Sequence, residues 1–455
     1  MNMKKKNIAL LAMAALFSLV SCGNEGNNST DSGKVTVVFW HTMGKQNRDI
    51  LQGMVKAFER ENPDITINES SAAGGYPEMQ ELILQSVKSE TLPTMAFCYP
   101  DHVAEYLAAG GSEGIVTDMT PYVNDPELGF TKEEGSHIDE DGNEVYGVDD
   151  YVSTFWKEGS SYTKEGIYSV PFAKSTEALF YNKDAFEANG WEVPKTWDQM
   201  WDLCREIKAV KSDITAPLGY DSDSNMFISF CEQRNIPYTS AIGNHYLFDN
   251  AEAKAMVADL KAKHDEGLFI TKGSIENNTY TSSKFTNEEI LMSIGSTGGT
   301  TYNQTSNFEV GVAEVPAYDI GRKAVISQGP SICFFNGKSN NATPAQLKAA
   351  WKFYKFISSA ENSVNYSIST GYQPVRTSSY ETEIYKDFAA DTTSLMNKVA
   401  SVSSTMLDSY FNSPVFVGSA KARTEVGSLM SAVLLGTKSV DEAFDQAISE
   451  CVNSN

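Results

Sequence analysis

The chain has 455 residues, 41% hydrophobic and 11% aromatic, with a formal net charge of −23. That length is enough for two cores, since single cores stop growing at roughly 250–300 residues. The acidic balance and the lack of a basic stripe exclude nucleic acid as a partner class and disfavour charge-driven adsorption to anionic lipid.

At the start, Lys4-Lys5-Lys6 precede an apolar stretch from Ile8 to Val20, which runs into Ser21 and Cys22. About 13 apolar residues make roughly 20 Å of helix, too short for a ~30 Å hydrocarbon core. A charged region, a short apolar region and a small residue before a cysteine form a processing pattern. It resembles a bacterial lipoprotein signal, in which residues 1–21 are removed and the Cys22 thiol is acylated. An ordinary signal peptide or a tail anchor with a chance cysteine is the alternative. Loss of the three lysines takes the mature chain to −26. Residues 22–33 carry no large apolar side chain, so they cannot offset their ordering entropy. They are expected to form a flexible tether with a reach of roughly 20 Å. No later stretch of about 18 apolar residues occurs.

Val35 to Trp40 reads as a buried strand, and Arg48 to Asn62 as a helix burying Ile50, Leu51, Met54, Val55 and Phe58 before Pro63. Ile65–Ile67 is a second strand, Glu78 to Ser89 a second amphipathic helix, and Met95–Tyr99 a third strand. Strands alternating with helices predict an α/β domain with a largely parallel sheet. The polar, acidic stretch from Phe130 to Gly159 reads as a surface insertion. Thr196 with Gln199, Thr343 with Gln346 and Ser439 with Glu442 are capping boxes that open three later helices. Cys98, Cys204, Cys231, Cys333 and Cys451 are odd in number and scattered. Buried thiols are expected of them, with one disulfide left open.

Motifs for catalysis and metal binding are incomplete. Gly337-Lys338-Ser339 resembles the end of a phosphate loop, but Ile332 stands where the opening glycine belongs. Gly295-Ser296-Thr297-Gly298 lacks the spacing of a nucleophile elbow. The five histidines form no H-x-x-x-H pair. Asp221, Asp223, Asn225 and Glu232 match four calcium-loop positions, yet the turn glycine is replaced by Met226, so a turn and helix cap is the better reading. No catalytic residue, metal or cofactor is expected, although a carboxylate pair for glycoside hydrolysis has no fixed spacing to search for.

Several segments then converge. Phe39-Trp40-His41-Thr42-Met43 opens the fold, and Val170-Pro171-Phe172-Ala173-Lys174-Ser175-Thr176 leads into Leu179-Phe180-Tyr181-Asn182-Lys183-Asp184-Ala185-Phe186. Pro194-Lys195-Thr196-Trp197 follows, and far downstream Thr370-Gly371-Tyr372-Gln373-Pro374. In order and spacing the chain resembles the extracellular solute-binding proteins of bacterial ABC importers, in the branch of sugar and glycerol-3-phosphate binders. The resemblance covers nearly the whole mature chain.

The resemblance implies an α/β, two-lobed periplasmic-binding-protein fold with a ligand cleft between lobes joined by hinge strands. Residues 34–170 and 292–356 would form the first lobe, and 171–291 with 357–455 the second. Crossings would fall near 167–174, 287–292 and 356–361. It further implies a monomer that captures a small solute and delivers it to an ABC permease, held at the membrane by lipid on Cys22. Matched to the glycerol-3-phosphate binders, the ligand-contacting positions fall on Tyr76, Ser175, Ser296, Gly329, Tyr372 and Arg423, and a cleft tryptophan on Trp197. Where those binders carry a glutamate just after a tyrosine, this chain has Pro100 and then Asp101. Aromatic faces suit the C–H surfaces of sugars, carboxylates accept hydroxyls, and an arginine fork suits phosphate. A surface-anchored glycoside hydrolase or an adhesin-like surface protein is the alternative.

Overall fold

The computed structural model describes residues 34–453, apart from 73, 111–113, 276, 278 and 336–341. The chain opens with β1 (Val35–His41), the helix Lys45–Glu61, β2 (Ile65–Ser71), the helix Tyr76–Ser89, β3 (Met95–Cys98) and the helix Pro100–Ala108. β1 pairs in parallel with both β2 and β3, as alternating strands and helices require. A hairpin of β4 (Ser136–Ile138) and β5 (Glu144–Tyr146) follows, and then β6 (Val170–Pro171).

After residues 172–176 a second sheet begins with β7 (Glu177–Asn182), β8 (Leu218–Tyr220), β9 (Phe269–Thr271), β10 (Met292–Ser296) and β11 (Val310–Ala313). The short strand β12 (Val325–Ile326) precedes the return to the first sheet as β13 (Ser331–Phe334). The two five-stranded sheets run β2-β1-β3-β13-β6 and β11-β7-β10-β8-β9. Near the C-terminus β14 (Tyr410–Phe411) pairs with β12, and the helices Ser419–Leu434 and Val440–Asn453 close the second lobe. The lobes are thus discontinuous in sequence, each an α/β layer structure.

Two expected boundaries shift. Met292–Ser296 does not open a first-lobe segment, because β10 lies inside the second sheet between β7 and β8. The return falls at residues 327–330, where Gln328 and Ser175 exchange backbone hydrogen bonds of 2.8 and 2.9 Å. Nor does the chain leave the first lobe at 356–361. The helix Ala360–Thr370 still packs on Lys45–Glu61, and the helix Leu395–Ser404 is the one that meets β11. The expected surface insertion is only partly superficial. Ile138 and Tyr146 are exposed at the hairpin, but Asp150, Tyr151, Phe155 and Glu158 are buried. Their polar groups are enclosed in a hydrogen-bonded network that an acidic composition does not reveal.

The three capping boxes form as predicted, at Thr196, Thr343 and Ser439. All five described cysteines are buried free thiols. No helix among the described residues is long and apolar enough to cross a membrane. Cys22, the expected tether 22–33 and Gly337-Lys338-Ser339 lie outside the described residues.

Candidate functional site: a cleft between the two sheets

Facing ends of the lobes enclose a cavity of about 1500 Å³. Topology explains its second-lobe wall. β10 runs parallel to β8 and antiparallel to β7, so the ends of β8 and β10 and the start of β7 share one sheet edge. Asp221 just past β8, Ser296 at the end of β10 and Glu177 at the start of β7 therefore stand side by side, with Ser296 opposite Glu177 in register. On the first lobe, Tyr99 and Asp101 occupy the equivalent place beyond β3. Ligand crevices of open α/β sheets lie at such strand ends.

A polar chain runs through the second-lobe wall. The Arg423 guanidinium, from the Ser419–Leu434 helix, donates to Asn225 Oδ1. Asn225 Nδ2 donates to Glu177 Oε1 at 2.8 Å, and Tyr220 OH to Glu177 Oε2 at 2.6 Å. Burial pushes the Glu177 carboxyl up to about 7, against the pull of those two hydrogen bonds and of Arg423. Burial also raises Asp221, although Thr281 N and Oγ1 donate to it at 2.6 and 2.7 Å. Arg423 itself forms no ion pair among the described residues. Lys272 lies 3.7 Å from the Tyr280 ring centroid on the same lobe.

The floor is made by the crossing segments. Lys174 and Glu158 form a buried ion pair there, and Ser327 Oγ donates to Glu158 Oε1 at 2.6 Å. Two opposite charges plus a hydroxyl satisfy each other, which is how a buried pair is tolerated. Aromatic surface comes from Tyr99, Tyr238, Tyr280, Tyr302 and Tyr372. Burial raises the Tyr99 phenol and pushes that of Tyr372 up to about 12, so both are neutral donors and acceptors at ordinary pH.

Of the predicted positions, Asp101, Ser296, Gly329, Tyr372 and Arg423 line this cavity together. Tyr76 stands behind the wall, stacked on Tyr99 at 4.0 Å between ring centroids. Ser175 is buried in the crossing segment and accepts from Ser296 Oγ at 3.4 Å. Gly329 has φ +89°, and a Cβ there would stand 2.2 Å from the Ala173 carbonyl, so the crossing itself demands glycine. Trp197 is not a cleft residue. It is 1% exposed, packs on Phe230 and Trp201, and donates Nε1–H to Gln233 Oε1 at 3.0 Å. Its place on the apolar face with Met200, Trp201, Cys204 and Ile207 turns it into the core.

Tyr99, Glu177, Asp221 and Asn225 were not foreseen in the site. Each stands at an end of a strand or in the first turn of a helix, a usable signal, but the strand order that gathers them is not visible locally. The calcium-like run resolves as a cap, Ser222 accepting from Asn225 N at 3.2 Å, with Asp221 and Asn225 turned to the cleft. No group of His, Cys, Asp or Glu among the described residues is arranged to hold a metal ion.

Residues 53–393 match the family model of bacterial extracellular solute-binding proteins. The sn-glycerol-3-phosphate-binding periplasmic protein UgpB of Escherichia coli (strain K12) is 26% identical over 364 residues, covering 76% of this chain and 75% of the relative. The GacH receptor of Streptomyces glaucescens GLA.O, solved unliganded and with acarbose, superposes with a TM-score of 0.72 at 19% identity, over 91% of this chain and 96% of that one. UgpB from Mycobacterium tuberculosis in complex with glycerophosphocholine gives 0.72 at 17%, over 92% and 98%. These two share the fold. With a family model spanning residues 53–393 and a two-lobed cleft in place, the protein belongs to the bacterial extracellular solute-binding proteins, non-enzymatic substrate-binding components of ABC importers.

Proposed function

We propose that the protein captures a glycerol-3-phosphate or glycerophosphodiester-type solute in this cleft and delivers it to an ABC permease. The observation that carries this reading is Arg423, a guanidinium that lines the cavity with no carboxylate partner among the described residues, on the wall opposite Tyr99 and Asp101. An anionic group at Arg423 would be held by a charged fork, with Ser296 Oγ as a further donor. Hydroxyls at the other end would find Asp101 as acceptor. A sugar is the second reading, favoured by the tyrosines of the lining, whose flat faces suit pyranose C–H surfaces. In both, a solute touching both lobes binds the closed form better and so shifts the open–closed equilibrium by hinge motion at the crossings. Lipid on Cys22 and the tether 22–33 would keep a monomeric binder near its permease and raise its effective concentration there.

Thermal unfolding with sn-glycerol 3-phosphate, glycerophosphocholine and maltose tests this. A true ligand at about 100 Kd adds roughly 2.7 kcal/mol of stability. Arg423→Ala should abolish the response to the phosphorylated compounds and spare a neutral sugar. No response to any of the three in the parent protein would defeat the proposal.

A further inference from the structure

The helix that carries Arg423 lacks a cap of its own. It begins at Gly418, which has φ +99° and no side chain to satisfy the N–H groups of the first turn. Ser419 N donates to the Phe416 carbonyl at 3.0 Å, and the Gly418 N–H is met from across the cleft, where Glu105 Oε1 accepts it at 2.8 Å. Glu105 belongs to the first-lobe helix Pro100–Ala108, and the Ser419–Leu434 helix packs on Asp223–Arg234 and Val440–Asn453 of the second lobe. The two residues are 313 positions apart.

Spacing ties this contact to the ligand site. Asp101 and Glu105 are four apart on one helix and so share a face. Gly418 and Arg423 lie five apart on the other. Asp101 and Arg423 both line the cavity, so the contact between Glu105 and Gly418 joins the two helices that carry them. The Ser419–Leu434 helix also packs directly on Pro100–Ala108, and Arg423 acts electrostatically on Tyr99 and His102 at the start of that first-lobe helix. Glu105 does not line the cavity, which separates it from the ligand-contacting groups.

We propose that Glu105 is a positioning residue of this site: its carboxylate caps the Ser419–Leu434 helix from the opposite lobe and sets how far Arg423 stands from Asp101 and Tyr99. A carboxylate at the N-terminus of a 16-residue helix is favoured by the aligned peptide dipoles and by a charge-assisted N–H bond. Because donor and acceptor are on different lobes, the bond forms only when the lobes are together. It therefore biases the protein toward closure before any solute contributes, and a solute gains affinity in proportion to the competent population. The proposal rests on the cleft being the ligand site, and its test has one arm that needs no ligand.

Hydrogen exchange read by mass spectrometry on the full chain is that arm. Glu105→Ala should exchange several-fold faster over residues 416–422, with 223–234 and 440–453 unchanged. Glu105→Gln, whose amide oxygen still accepts an N–H, should keep most of the protection. Should the alanine variant fail to fold, Glu105→Asp, one methylene shorter, gives the same readout. Unchanged exchange over 416–422 overturns the contact. The second arm is calorimetry with sn-glycerol 3-phosphate. Glu105→Ala should raise Kd several-fold and Glu105→Gln should recover much of it. Combined with Arg423→Lys, Glu105→Ala should add little further loss, because both act through the same guanidinium. Full additivity overturns the positioning role. Failure of the parent protein to bind the probe counts against the ligand reading, and the exchange arm then decides the contact without it.

Discussion

Glu177 is where one side chain governs a property of the cleft. Its carboxyl is raised by burial from the ordinary 4.5 to about 7. The folded state then holds a proton that the unfolded chain releases across that interval. Stability must fall as pH rises through it, since the native state binds more protons there. Below about 4.5 both states are protonated and the penalty vanishes; above about 7 both are ionised and it is complete. Glu177→Gln, which keeps an acceptor and carries no charge, should flatten this slope, as urea midpoints from pH 4 to 8 would show relative to the parent. A parallel slope in both proteins would refute the assignment. Trp197 makes the opposite point. Its burial beneath the second sheet predicts that Trp197→Ala costs about 3–5 kcal/mol by chemical denaturation. Solute affinity measured on the folded fraction should be unchanged, because the ring touches no cavity surface.

Among the elements, β11 and β7 show how a sheet edge is specified. Gly311 sits opposite Tyr181 in register, and a Cβ at 311 would meet the Tyr181 ring at 2.1 Å. Gly311→Ala should therefore destabilise the protein by about 1–3 kcal/mol, as overpacking does. Adding Tyr181→Ala should recover part of that loss, a coupling that a double-mutant cycle in urea would measure. The same scale separates legible from illegible features. Helix starts at Thr196, Thr343 and Ser439 were readable because a capping box closes within three residues. The lobe of β10 was not, because Met292–Ser296 takes its place from pairing with residues more than 70 positions away. The acidic stretch 130–159 hid Asp150 and Glu158 for a similar reason: their partners, Arg376 and Lys174, are remote or on another segment.

At the scale of the whole molecule, one buried ion pair fastens distant parts of the chain. Asp150 and Arg376 are both fully buried, with Nη1 to Oδ2 at 3.2 Å, and are 226 positions apart. Ser378 N and Oγ donate to Asp150, and His137 Nδ1 lies 2.8 Å from it, while Arg376 donates Nε–H to the Ser358 carbonyl at 2.6 Å. Asp150→Ala leaves a buried guanidinium uncompensated and should cost about 3–5 kcal/mol in denaturant unfolding. Replacing both partners by apolar residues should cost less than the single change.

Residue chemistry that acts over a few positions could be read directly from the chain: the α/β alternation, the capped helices and the buried thiols, whereas the cleft positions needed the family resemblance. Asp101, Ser296, Gly329, Tyr372 and Arg423, expected from the family resemblance, line one cavity. Strand order, lobe boundaries and the company each side chain keeps could not be read so. Glu177, Asp221 and Asn225 gather beside Arg423 because β7 runs against β10 while β8 runs with it, and Trp197 leaves the site because its helix turns that face inward. Local signals are set by the chain's own short-range geometry. Non-local pairings depend on which surfaces bury each other, a choice made by the folded whole.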